Sequence, residues 1–89
     1  MSESQAIAER VSSWLKDQGR FSAPYGIICE FNEPTPTRKK HWIVGFGYAR
    51  TLDATIQIFN RNWIVYRDSR GYHQFLKSET DLMEKLKSL

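Results

Sequence analysis

The sequence predicts one small α+β domain in which a helix at each end flanks a sheet of five antiparallel strands. Apolar residues recur with helical spacing near both ends of the chain. The segment between them is rich in β-branched and aromatic residues and is interrupted by runs of turn-forming residues. Its 89 residues suffice for one domain, residues 1–89, with a compact core. We therefore expect the order α-β-β-β-β-β-α, with a meander sheet and both helices packed on one face of it.

The two helices are predicted from apolar spacing and from capping residues. The residues spaced for one face of the first helix are Ile7, Val11, Trp14 and Leu15. Ser2 followed by Gln5 forms a capping box, and Gly19 is a C-terminal stop. The second helix has the same spacing at Leu82, Met83, Leu86 and Leu89. Either Ser78 or Thr80 can cap its first turn.

Five segments are predicted as strands: Tyr25–Phe31, His41–Arg50, Asp53–Phe59, Trp63–Asp68 and Tyr72–Lys77. The longest connection contains two prolines and three consecutive basic residues, so we expect residues 33–40 to form a flexible basic loop. Asn60-Arg61-Asn62 and Ser69-Arg70-Gly71 are typical of tight hairpin loops. Gly71 stands where a type I turn with a bulge requires positive φ.

The pairing register decides which side chains share a face, because a one-residue slip exchanges the two faces of a strand. A four-residue loop at Arg50–Asp53, followed by two three-residue loops, predicts these pairs: Ala49 with Ala54, Phe59 with Trp63, and Asp68 with Tyr72. A mostly aliphatic face then meets the helices: Ile43, Gly45, Gly47, Ala49, Ala54, Ile56, Ile58, Ile64 and Tyr66. The opposite face collects aromatic and basic residues: Trp42, Val44, Phe46, Tyr48, Arg50, Gln57, Phe59, Trp63, Val65, Arg67, His73, Phe75 and Lys77.

Two alternatives remain open for the aromatic residues. A two-residue loop at Asn60-Arg61 would move Trp63 and Val65 to the aliphatic face. Large aromatic side chains in a small protein also commonly form its core. In that case Trp42, Phe46 and Trp63 are the residues that the helices cover.

Basic and aromatic residues concentrate in the middle of the chain. Between Pro34 and Lys77 there are eight basic and two acidic residues, a formal excess of +6, whereas the whole chain carries +3. The same segment holds eight of the twelve aromatic residues. This combination is typical of surfaces that bind polyanions or protein partners. The residues expected to bind are Arg38, Lys39, Lys40, Trp42, Phe46, Tyr48, Arg50, Trp63, Arg67, His73 and Lys77.

This surface favours a small non-catalytic interaction protein that binds a protein partner or forms a homodimer. Binding of single-stranded nucleic acid or RNA is the alternative. The sequence contains no ribonucleoprotein signature, helix-turn-helix, GxxG clamp or zinc finger to support that alternative further.

Groups suited to catalysis or metal binding are sparse. His41 and His73 lie among basic residues, Ser69 lacks an acidic orienter for a triad, and Glu30 lacks a paired carboxylate. With Cys29 the two histidines are too few for a closed zinc site. We therefore predict no enzyme, no cofactor and no metal. A lone cysteine, and the lack of a secretory or membrane-spanning pattern, favour a cytoplasmic protein without a membrane partner.

The segment Asn62–Phe75, NWIVYRDSRGYHQF, resembles the C-terminal hairpin of the barnase-like microbial ribonucleases. In that family a Trp-aliphatic-aliphatic-Tyr strand turns into a strand with a catalytic histidine, and a glutamate and arginines on neighbouring strands complete the site. The resemblance covers 14 of the 89 residues and implies a ribonuclease as a third function. This chain has Gly71 at the histidine's position, His73 two residues later, and no glutamate between residues 41 and 59.

Overall fold

A computed structural model gives the fold of the chain and describes residues 2–19, 21, 26–49 and 52–89. The elements are α1 (Glu3–Gln18), β1 (Ile27–Asn32), β2 (His41–Ala49), β3 (Leu52–Asn60), β4 (Trp63–Asp68), β5 (His73–Leu76) and α2 (Glu79–Lys87). Each strand pairs antiparallel with the next, in the sheet order β1-β2-β3-β4-β5. The predicted α+β class and element order are confirmed. The predicted strand ends at Tyr25 and Arg50 lie outside the described residues.

The helix α1 begins at the cap expected from the sequence. The hydroxyl of Ser2 accepts a hydrogen bond from the Gln5 N–H at 3.1 Å. The side chain of Gln5 donates to Glu9 at 3.0 Å instead of returning to Ser2, so the capping box is formed on one side only. The helix ends at Gly19, whose φ of 73° is in the left-handed region that glycine adopts without steric cost.

The helix α2 is capped by Ser78 rather than Thr80. The Ser78 hydroxyl accepts from the Asp81 N–H at 3.1 Å, which satisfies one amide of the first turn. Two of the predicted apolar residues, Leu82 and Leu86, are buried. Their burial, rather than intrinsic helix propensity, holds this short helix in place.

One hydrophobic core fills the space between the helices and the sheet. The helix α1 packs against β1, β2 and β3, and α2 packs against β4 and β5. The strand residues buried in this core define the inner face: Val44, Phe46, Ala54, Ile56, Ile58, Ile64, Tyr66 and Leu76. Arg10 of α1 also donates two hydrogen bonds to Glu79 of α2, at 2.7 and 2.8 Å. Both helices therefore lie on one face of the sheet, as predicted.

The register of β2 against β3 differs from the prediction. Phe46 pairs with Ala54, and Ala49 pairs with Leu52. The expected pairing of Ala49 with Ala54 across a four-residue loop is therefore wrong. The register also shifts between Gly47 and Ala49, so the rest of the strand pair is displaced by an odd number of residues and β2 presents its other face to the helices. Phe46 and the other even-numbered residues of β2 face inward with the isoleucines of β3.

The register of β3 against β4 follows the prediction through most of the pair. Ile58 pairs with Ile64, as a three-residue loop requires. The register shifts beyond Ile58, so that Asn60 rather than Phe59 is the Cα partner of Trp63. The alternative in which Trp63 joins the aliphatic face is wrong, because the bulk of the strand pair keeps the three-residue register.

The connections supply the turns that these registers need. The N–H of Asp68 donates to the Tyr72 carbonyl at 3.0 Å, which confirms that predicted pair. Gly71 has a φ of 88°, as the turn requires. Between β1 and β2, Thr35 and Arg38 exchange two backbone hydrogen bonds of 2.8 and 3.3 Å and form a tight turn. The flexibility of residues 33–40 stays a prediction. Within the described residues, neither helix has the length and apolar character to cross a membrane.

Candidate binding surface on the outer face of the sheet

The outer face of the sheet is the face opposite the helices. Its residues alternate with those of the inner face along each strand. They are Ile28, Glu30 and Asn32 of β1; His41, Ile43 and Gly45 of β2; Asp53, Thr55, Gln57 and Phe59 of β3; Trp63, Val65 and Arg67 of β4; and His73 and Phe75 of β5. Because both helices pack on the inner face, no described helix covers these side chains.

Aromatic rings form a stacked row at one end of the outer face. The ring centroids of His41 and Phe59 are 4.7 Å apart. Phe59 stacks on Trp63 at 4.3 Å with an interplanar angle of 20°. The ammonium group of Lys39 lies over the Trp63 ring, 5.7 Å from its centroid. Phe75, on the neighbouring strand β5, is 65% exposed. The outer face thus combines rings with a cation from the adjoining loop.

A polar network of Asn32, His41, Gln57 and Arg67 joins four strands. His41 Nδ1 lies 2.9 Å from the Lys39 carbonyl oxygen, which can only accept, so Nδ1 carries a proton. The side-chain amide nitrogens of Asn32 and Gln57 each lie 3.3 Å from Nε2 and share its single lone pair. Gln57 then turns its oxygen to Arg67, whose Nε donates to it at 2.9 Å. His41 and Gln57 are 2% and 4% exposed, so this network satisfies buried polar groups.

A groove beside this network has charged side chains along it. Its lining residues are Arg38, Ile43, Asp53, Thr55, Gln57, Arg67, Asp68 and Ser69. Desolvation alone would raise the pKa of Asp68, but hydrogen bonds from the backbone and side chain of Arg70 and from the backbone of Tyr72 outweigh it, so the pKa is lowered from its ordinary value. Across the described ranges, Arg38 and Arg67 have no carboxylate within 4.0 Å.

The structure brings only part of the predicted binding set together. On or beside the outer face lie Arg38, Lys39, Trp63, Arg67 and His73. Lys77 is exposed just beyond β5. Lys40 lines a separate small pocket with Ser2 and Ser4 at the start of α1. The Tyr48 side chain and Arg50 lie outside the part of the chain that the structure describes.

The placement of Trp42 and Phe46 on the exposed surface is wrong. Phe46 is 3% exposed and meets Phe21 edge to face, with ring centroids 5.4 Å apart. Trp42 is half-buried against the core, and its ring lies 5.8 Å from that of Phe31. The altered register of β2 explains both. The aromatic residues are thus divided, with Phe46 and Trp42 packed inward and Trp63 outward.

Sequence reasoning missed the part that Gln57 and Asn32 play in the polar network. Gln57 is an uncharged polar residue that stands directly between two isoleucines, Ile56 and Ile58. Such a residue is buried only when its hydrogen bonds are satisfied, which predicts a polar partner on an adjacent strand. The sequence thus indicates that Gln57 has a polar partner. That His41 is this partner follows only from the register of β2.

The described groups do not assemble an acid–base pair. Glu30 lies on β1 and His73 on β5, at opposite edges of the sheet. Burial, with the charge of Glu9, raises the pKa of the Cys29 thiol and disfavours its nucleophilic thiolate form. No group of three His, Cys, Asp or Glu residues suited to a metal ion occurs in the described ranges. The absence of catalysis stays a prediction.

The hairpin that resembles the barnase-like ribonucleases is formed by β4 and β5. Gly71, at the position of that family's histidine, lies in the turn with positive φ. His73 is exposed on β5 and pairs with Arg67, which has no glutamate beside it on β3. Comparison with protein-family models, with curated proteins and with solved structures finds no match for this chain.

Proposed function

We propose that this chain is a non-catalytic interaction protein that binds a polypeptide through the outer face of the sheet. The first partner that we propose is a second copy of the same chain. The observation that supports this most is the exposure of apolar side chains on a face that no described helix covers. Phe75 is 65% exposed, and Trp63 on the neighbouring strand β4 is 36% exposed. Monomeric proteins rarely leave a contiguous apolar surface open to water. Burying it against another sheet would give the aligned packing common in β-sandwiches.

The types of residue on the outer face suit a protein interface. Aromatic residues and arginine are enriched at such interfaces and contribute most of their binding energy. Phe75 and Arg67 belong to these types. The polar network holds Arg67 in place before binding, which lowers the entropy lost when a partner docks.

Sedimentation equilibrium over a range of micromolar concentrations tests self-association. We expect a reversible dimer, weakened about tenfold or more by Phe75→Ala, as for truncation of an interface aromatic residue. Phe31→Ala is the matched control, because Phe31 is 41% exposed but lies on the other side of the sheet. A monomer at every concentration, or equal effects of the two variants, would contradict the proposal.

Single-stranded nucleic acid is a second candidate, favoured by the Lys39 ammonium group over the Trp63 ring. Cations contact phosphates while exposed rings stack on bases. Neutralising Lys39 and Lys40 together should flatten the dependence of log K on log salt by about 1.4 units, since each phosphate contact with a single strand contributes about 0.7. Trp63→Ala should cost roughly 1–3 kcal/mol of binding with little change in that slope. Lys87→Gln, on α2, is the charge control.

Salt separates the two candidates. Binding to a polyanion weakens steeply as salt is added, whereas an apolar protein interface persists. If no oligonucleotide binds at ~50 mM salt, where phosphate contacts are strong, the second candidate is excluded.

A further inference from the structure

The groove on the outer face carries unmatched charges of opposite sign. The guanidinium group of Arg67 lies at the level of Gln57, because its Nε donates to the Gln57 oxygen at 2.9 Å. Arg38 lines the groove as well, and so does Asp53, which is four residues before Gln57 on β3. Of the ion pairs formed among described residues, none involves Arg38, Arg67 or Asp53. These three charged groups are therefore not neutralised by any described residue within 4.0 Å, whereas Asp68, which also lines the groove, is paired with Arg70.

Thr55 lies midway between the two ends of the groove, which are marked by Asp53 and Gln57. It is two residues from Asp53 and two from Gln57, about 7 Å along the strand in each direction. Thr55 also pairs directly with Arg67, but the hydrogen bond to Gln57 draws the Arg67 guanidinium group away from the level of Thr55. A rotation of 180° about a line across the strands at Thr55 exchanges the positions of Asp53 and Gln57. That rotation places an acidic group where the Arg67 guanidinium group lies.

We propose that a second copy of this chain docks on the groove by such a two-fold axis, so that Asp53 of each copy pairs with Arg67 of the other. This inference rests on the proposed function, since it takes the outer face as an interface between copies. Packed sheets lie about 10 Å apart, a gap that an arginine and an aspartate can bridge together. The two-fold symmetry makes each ion pair twice. Thr55, a small residue, meets its own copy at the axis.

The charge pattern favours a second copy over nucleic acid at this groove. A phosphate could contact Arg38 and Arg67, but a strand tracking along the groove would then approach the Asp53 carboxylate and be repelled. A second copy offers a cation at that end and a carboxylate at the other. A second copy therefore pairs the charges at both ends of the groove.

A charge exchange between two variants tests the pairing. In a dimer of the Arg67→Asp variant, each of the two contacts would place two carboxylates together. In a dimer of the Asp53→Arg variant, each contact would place two guanidinium groups together. Like charges placed together cost several kcal/mol, so each variant alone should self-associate at least about a hundredfold more weakly than the unmodified chain. An equimolar mixture of the two variants restores both pairs and should form a heterodimer. Its affinity should approach that of the unmodified homodimer.

The mixture controls for misfolding, because a variant that had lost its fold would not be rescued by another molecule. Arg61→Asp is the matched control: it makes the same change of charge on the β3–β4 turn, where Arg61 contacts Glu3 at 3.8 Å, and should leave self-association unchanged. Circular dichroism tests whether each variant is folded.

Three results would overturn the inference. If the unmodified chain is monomeric, the self-association in the proposed function fails as well. If the unmodified chain dimerises but the single variants associate normally, or their mixture does not associate, the outer face is an interface while this pairing is wrong. If Asp53→Ala strengthens binding of a thymidine oligonucleotide and leaves self-association unchanged, the groove serves a polyanion instead.

Discussion

The inner and outer faces of the same sheet differ in what fixes their side chains. On the inner face the side chains are apolar and buried among those of both helices. On the outer face a row of rings and a four-residue polar network hold one another in place, with no helix above them in the described part of the chain. The inner face thus depends on burial of apolar area, whereas the outer face depends on directional contacts that require the correct register.

Only on β2 does the prediction assign the inner and outer faces wrongly, and the sequence of this strand shows why. Its even positions carry Trp42, Val44 and Phe46, which are large and apolar, whereas its odd positions carry His41 and two glycines beside one large apolar residue, Ile43. The set with three large apolar residues faces the core, and the other set faces outward. Side-chain volume and polarity therefore indicate which face of β2 is buried. The predicted loop put Ala54 opposite Ala49 in place of Leu52, an even displacement that keeps the parity, whereas the register shift between Gly47 and Ala49 reverses it.

Two phenylalanines on opposite faces give the largest expected contrast in stability. Phe46 is 3% exposed and Phe75 is 65% exposed. Phe46→Ala should lower the free energy of unfolding by about 3–5 kcal/mol, because it leaves a cavity in the core. Phe75→Ala should change it by no more than about 0.5 kcal/mol. Urea denaturation of monomeric protein measures both values.

The Phe46→Ala variant could be too unstable to purify in so small a domain. Phe46→Leu then gives a smaller loss of the same sign, and Phe75→Leu is its control. Equal losses for the two positions would show that the outer face is as tightly packed as the inner face, and the comparison would fail.

Local sequence signals predicted most of the fold. The caps at Ser2 and Ser78 and the positive φ of Gly19 and Gly71 each depend on a few consecutive residues. The registers of β3, β4 and β5 followed from short loops whose chemistry is recognisable. The polar network could not be derived in this way, since Gln57 meets its partners only when the registers of several strands are known together.

The polar network should contribute less to stability than the core does. Gln57→Leu keeps the volume but removes the hydrogen bonds of Gln57 to His41 and Arg67. Because His41 is buried and Arg67 is exposed, we expect a loss of about 1–3 kcal/mol, chiefly from the buried partner. The neighbouring variant Thr55→Val is the control and should stay within about 0.5 kcal/mol.

Nuclear magnetic resonance adds a readout that is specific to the network. In Gln57→Leu the Nε–H proton of Arg67 should exchange with solvent faster than in the unmodified chain, because its acceptor is gone. Unchanged exchange, together with unchanged stability, would mean that the outer face is held by its rings alone.

The smallest expected effect concerns the ion pair on the helix side, where directional contacts supplement the apolar packing. Hydrogen bonds from Arg10, aided by its charge, lower the pKa of Glu79 from its ordinary value despite some desolvation. A lowered pKa in the folded state means that the pair stabilises the fold above the unfolded pKa of about 4.3 and loses that effect as pH falls through the folded value. Glu79→Gln should therefore reduce stability near neutral pH and have little effect in strong acid.

Urea denaturation at neutral pH and at a pH well below the folded pKa of Glu79 measures this difference. Glu84→Gln, a change on an exposed residue of α2 that forms no ion pair within the described residues, is the control and should show no such dependence. If Glu79→Gln lowers the free energy of unfolding equally at both pH values, the glutamate acts through packing rather than charge. The helix side would then be held by burial alone, and its contrast with the outer face would be sharper still.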